Sequence, residues 1–103
     1  MISMAVGDKI TIQKMEDGEW VDYAHPRIIQ ANKTKSTEYV TAGGEQNAAH
    51  VTFRVRFVKK LMPIETDMPS YRIVWHGTHF DIRGYDDYMY QHRTVNLAGV
   101  SYG

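Results

Sequence analysis

The chain has 103 residues, 12 lysines and arginines against 12 aspartates and glutamates, and no cysteine. A length of this order builds one core without staples and not two, so a single domain spanning 1–103 is expected. Balanced charge excludes a generic polyanion binder, whose affinity rests on many cations meeting phosphates, and the lack of thiols excludes disulfides and thiolate metal sites.

No apolar run approaches the roughly 20 residues that span a bilayer, so no membrane partner is expected. The opening "MISMAVGDK" lacks the basic region and length of a signal peptide. In chain order, "DKITIQK" sets Ile10 and Ile12 on one face and Lys9, Thr11 and Gln13 on the other, the period of two of a half-buried strand. "EDG" at 16–18 predicts a turn, Trp20–Tyr23 a second strand, "HP" at 25–26 a break, and Arg27–Ala31 a third strand.

The rhythm then stops. Asn32–Ala49, "NKTKSTEYVTAGGEQNAA", is polar, rich in small residues and contains Gly43-Gly44. It predicts one long polar loop, with a short helical turn over Ser36–Thr41 N-capped by Ser36. Loops beyond about 12–15 residues are uncommon in compact domains unless functional or disordered. In the free protein this one is expected to be mobile, because it has little apolar surface to offset the cost of ordering.

Period two returns in "HVTFRVRFV", with Val51, Phe53, Val55 and Phe57 opposite Thr52, Arg54 and Arg56. The mix of rings and arginines is that of a nucleic-acid platform, but alternation puts the phenylalanines in the core and the arginines in solvent. "KKLMPIETDMPS", with two prolines, is expected to cross an end of the barrel. Tyr71–Trp75 and Thr78–Arg83 form a hairpin about His76-Gly77, "YDDY" at 85–88 is a turn, and Thr94–Val100 closes the chain.

The hairpin "IVWHGTHFDIRG" carries two histidines and an aspartate, so a metal site must be weighed. If His76-Gly77 are the two central residues of the turn, Ile73 faces Phe80 and Arg72 faces Asp81. Centring on Gly77-Thr78 instead sets Arg72 against Arg83. Opposite charges across strands stabilise by about 0.2–1 kcal/mol and like charges destabilise, which favours the first register. His79 and Asp81 then share the solvent face with Arg72, a cation that opposes a metal, and no further ligand is at hand.

Asp81, Asp86 and Asp87 with His92 offer an acid–base pair, but turn chemistry accounts for them more simply. No nucleophile elbow, P-loop or dinucleotide fingerprint is present, so neither an enzyme nor a cofactor is expected. Tyr85, Tyr88 and Tyr90 suit an interface or a barrel cap. The fold class is therefore all-β: a small barrel or sandwich of about six to seven short antiparallel strands.

The order of these pieces resembles that of the head–tail joining proteins of long-tailed phages. "DKITIQK", "GEWVDYA", a strand ending in "ANK", a polar loop with "STEYVTA", then "HVTFRVRF", "YRIVWHGTHFDIRG" and "RTVNLAG" follow the family's sequence of motifs. Arg72, Ile73, Trp75, Gly77, Phe80, Ile82 and Gly84 occupy its core-hairpin places, and "AGVSYG" resembles the end of a head-completion stopper. The departures are the proline-containing link Lys59–Ser70 and the tyrosine-rich turn at 85–90.

The resemblance implies a virion protein at the head–tail interface, made in the host cytoplasm. It implies a homo-oligomeric ring, expected twelvefold, with the portal and adaptor above, the tail below and packaged double-stranded DNA in the channel. Asn32–Ala49 lies where the stopper branch has a channel loop, making Lys33, Lys35, Ser36, Glu38, Gly43 and Gly44 the candidate DNA-proximal residues. A tail-terminator or tail-completion ring and an oligonucleotide-binding barrel are the alternatives.

Overall fold

The computed structural model describes residues 8–40 and 44–102. Seven antiparallel strands run β1 (Thr11–Glu16), β2 (Glu19–Ala24), β3 (Ile28–Val40), β4 (Gly44–Arg56), β5 (Tyr71–Trp75), β6 (Thr78–Asp87) and β7 (Thr94–Tyr102). They form one sheet in the order β2-β1-β5-β6-β7-β4-β3, curled into a half-barrel. An isolated bridge, Lys9 to Arg27, ties the start of β1 to the entry of β3. Beside it the Ile10 N–H donates to Pro26 O at 3.1 Å and the Ile28 N–H to Asp8 O at 2.6 Å. The approach to β1 thus meets the entry of the edge strand β3 at that point.

Alternation supplies that core. Ile10, Ile12, Val51, Phe53, Val55, Ile73, Val95 and Leu97 have essentially no exposed surface. Phe53 meets Trp75 and Phe80 edge to face, with ring centroids at 5.6 and 5.7 Å, a geometry aromatic quadrupoles favour. Gly99 lies where a Cβ would stand 3.0 Å from the Phe80 Cβ, so the close approach of β7 to β6 uses the missing side chain.

Two hairpins turn on residue pairs with positive φ, Asp17 (50°) with Gly18 (81°) and His76 (50°) with Gly77 (75°). A two-residue turn of this type matches the right-handed twist of its strands. The second hairpin adopts the register that sets Arg72 opposite Asp81 and Ile73 opposite Phe80.

The link between β4 and β5 crosses one end of the barrel as expected, but it is helical. A 3-10 turn at Lys59–Leu61, the short helix α1 (Met62–Thr66) and a second 3-10 turn at Met68–Ser70 form a lid. Pro63 and Pro69 stand in the first turns, where a missing N–H costs nothing. Leu61 and Ile64 are fully buried beneath it, and the Tyr23 hydroxyl donates to Lys60 O at 2.6 Å.

Two expectations need correction. The stretch read as a long polar loop with a helical turn is a ladder: β3 and β4 pair from Asn32–Thr52 out to Val40–Gly44, and Ser36–Val40 is extended. Polarity on both faces removes the alternation by which a strand is seen. It does not remove the backbone's need for partners, and threonine, tyrosine and valine favour extended chain. Thr41 and Gly43 lie outside the described residues.

The turn placed at "YDDY" begins three residues later, because Tyr85, Asp86 and Asp87 continue β6 opposite Leu97, Asn96 and Val95. A bulge between Ile82 and Gly84 changes the parity, so Phe80 and Ile82 face inward before it and Asp87 after it.

Candidate functional site

Three surfaces carry the residues of interest. The first is the β3–β4 arm. β7 accompanies β4 only as far as the pair Ala48–Tyr102. Beyond it, the pairs from Thr37–Asn47 to Val40–Gly44 have no third strand among the described residues, and at about 3.3 Å per residue this part of the arm is roughly 10 Å long. In the ladder Lys33 stands opposite Val51, Lys35 opposite Ala49, Ser36 opposite Ala48 and Glu38 opposite Gln46, while Gly44 opens β4.

The second surface is the outer face of β2, β1, β5 and β6. Here Asp22, Gln13, Arg72 and Asp81 lie in one cross-strand row. The Arg72 Nε donates to Gln13 Oε1 at 2.8 Å, and the Gln13 Nε2 donates to Asp22 Oδ1 at 3.1 Å. The Arg72 guanidinium also lies 4.4 Å from the Trp20 ring centroid, a cation–π contact. His79 is exposed opposite Val74, and the described residues include no cluster of metal-ligating side chains.

The third surface is the turn after β6. Asp87 is buried, and its Oδ1 accepts the His92 backbone N–H at 3.0 Å. Its Oδ2 meets the His92 ring at Nδ1, and that ring stacks on Phe57 with centroids 4.4 Å apart. Asp81 and Asp86 point elsewhere on the exposed surface, so the three acids do not converge. Asp87 clamps the turn by accepting from the backbone N–H five residues on. The stack of His92 on Phe57 was invisible in the sequence, because no local pattern brings the exit of β4 to this turn.

Beside this turn Tyr85 is half-buried. Desolvation, with Asp87 and Glu65 adding negative charge nearby, pushes its hydroxyl up to about 12. Free tyrosine ionises near 10. The folded state therefore keeps a proton that the unfolded chain gives up, and the Tyr85 contribution is intact below pH 10 and lost as pH rises toward 12. Tyr85→Phe should move base-induced unfolding to higher pH, read by circular dichroism in an alkaline titration. An unchanged midpoint would show that Tyr85 does not limit alkaline stability.

A curled antiparallel sheet extended by a two-stranded arm is the scaffold that carries these surfaces. The chain matches the family model described as phage head completion protein over residues 7–98, and it belongs to that family. Its role is structural and lies in the phage head. No curated protein and no solved structure matches the chain.

Proposed function

We propose that the chain assembles as a ring beneath the portal and adaptor of the DNA-filled head, retains the packaged genome and offers the tail its docking surface. The observation that carries this reading is the β3–β4 arm, whose outer part pairs with no third strand among the described residues. An isolated two-stranded hairpin is marginal in water and gains from a third strand. Copies arranged about an axis supply such strands to one another, with the arms directed into the channel.

Family membership gives the setting, and charge gives the mechanism. One subunit is neutral overall. Twelve copies bring Lys33 and Lys35 into a ring of cations around one duplex, where counterion release favours contact with phosphates. Lys33, Lys35 and Ser36 stand at the base of the arm, where β7 still accompanies β4, with Glu38 and Gly44 further out, and the polar surface keeps the free subunit soluble.

Because the platform for the ring is the head, the purified chain is expected to be a monomer. Light scattering of the isolated protein should give one subunit mass, and DNA-filled heads should carry a multi-copy ring at the portal vertex. A stable ring in isolation, or filled heads that retain DNA without the protein, would refute the proposal.

A further inference from the structure

One end of the barrel combines exposed apolar side chains with positive charge. The Phe57 backbone N–H donates to Arg93 O at 2.9 Å, so the exit of β4 and the β6–β7 turn form a common surface. Val58 and Met62 are each 44% exposed there, Met89 is 72% and Tyr90 is 70%. Met89, Tyr90 and His92 all have positive φ, a conformation that β-carbon-bearing residues hold only when surrounding contacts enforce it. The Asp87 clamp and the Phe57 stack provide those contacts, so the turn is fixed in a shape that presents Met89 and Tyr90 to solvent. Arg56, Lys59 and Arg93 are exposed around it and form no ion pair among the described residues.

The β1–β2 hairpin tip has the opposite character. Glu16, Asp17 and Glu19 are exposed and also make no ion pair among the described residues, and behind them Met15 and Trp20 form a cross-strand pair. In the sheet order the tip belongs to β2-β1 and the basic surface to β6-β7-β4, with β5 between them. No ion pair joins the two clusters within one chain among the described residues.

We propose that these two surfaces are complementary and that the occupant of each is a second copy of this chain, tip against basic end. The contact is head-to-tail, so each copy uses both surfaces and the contact can repeat. It supplies two opposite charge clusters with partners and covers Met89 and Tyr90 with Met15 and Trp20. Exposed pairs of this kind are individually weak and screened by salt, which fits a subunit that stays monomeric until a platform concentrates it. This deepens the ring reading above and rests on it.

The test is a charge exchange read in assembled particles. Glu16→Lys with Glu19→Lys reverses the tip, and Lys59→Glu with Arg93→Glu reverses the basic end. Both leave the Asp17-Gly18 turn and the Asp87 clamp in place. Each reversed chain should incorporate about tenfold less per filled head, since like charges then face each other, and the chain carrying all four substitutions should recover near-normal incorporation. Melting of the purified variants checks folding. The milder Glu16→Gln with Glu19→Gln, expected to lose less, serves if a reversed chain melts early.

Recovery is the signature of a copy meeting a copy. Reversed chains that incorporate normally would overturn the contact. So would a fourfold variant as defective as its parents, which would assign the surfaces to a different protein. Counting copies in wild-type particles separates this from the ring reading: one copy per head would overturn both, whereas many copies without recovery would overturn only the contact.

Discussion

Replacing Trp75 by alanine should cost about 3–5 kcal/mol, measured by denaturant unfolding, and should leave little folded protein at physiological temperature. The side chain is 3% exposed and sits against Phe53 and Phe80, at the junction of β4, β5 and β6. Its removal leaves a cavity between the paired strands β5 and β6 and the Phe53 ring of β4, which the hydrogen-bonded sheet cannot close by moving. The ring's Nε1 is buried without a hydrogen-bond partner among the described residues, so the indole N–H is itself a cost. Trp75→Phe should therefore recover much of the loss. His79→Ala, on the opposite face of the same hairpin, should change stability by no more than about 0.5 kcal/mol. A Trp75→Ala chain nearly as stable as its parent would contradict the core assignment.

The second large effect is expected on function and not on stability. Excising Thr37–Val40 together with Gly44–Asn47 removes matched lengths of β3 and β4 and keeps the register inward of Ser36–Ala48. The core residues lie elsewhere, and loop-closure entropy varies slowly with length, so the melting temperature should stay nearly unchanged. Under the proposed function, heads assembled with the shortened chain should lose DNA or fail to take tails. Infectious particles with retained genomes would sink the channel role of the arm while leaving family membership untouched.

How much of this was legible depended on whether a strand has two unlike faces. "ITIQK", "HVTFRVRFV" and "YRIVWHG" alternate, and each lies in a strand, although β4 starts at Gly44, six residues before the alternation does. The Arg72–Asp81 pairing followed from charge alone. The arm alternates nothing, so its backbone pairing left no trace in the pattern of side chains. Asp87 shows the other limit. Counting by twos from Phe80 puts it on the solvent face, and the bulge at Ile82–Gly84 reverses the count. The Arg72–Trp20 contact was equally hidden, because it joins β5 to β2 across β1, an adjacency no local motif specifies.

The order of strands in the sheet also governs how the chain reaches its shape. The β1–β2 hairpin and the β3–β4 arm are local and can form early, yet neither has a finished core beneath it. Ile12 lies opposite Ile73, and Phe53 opposite Leu97. Both junctions join distant parts of the chain, and the loop entropy of such pairings is lost before their packing is gained. During synthesis, therefore, the N-terminal half waits with Ile12 and Phe53 uncovered until β5, β6 and β7 emerge from the ribosome. Of the seven strands, β7 is made after the others and is the one that links the two halves, so cooperative folding begins only once β7 has been made.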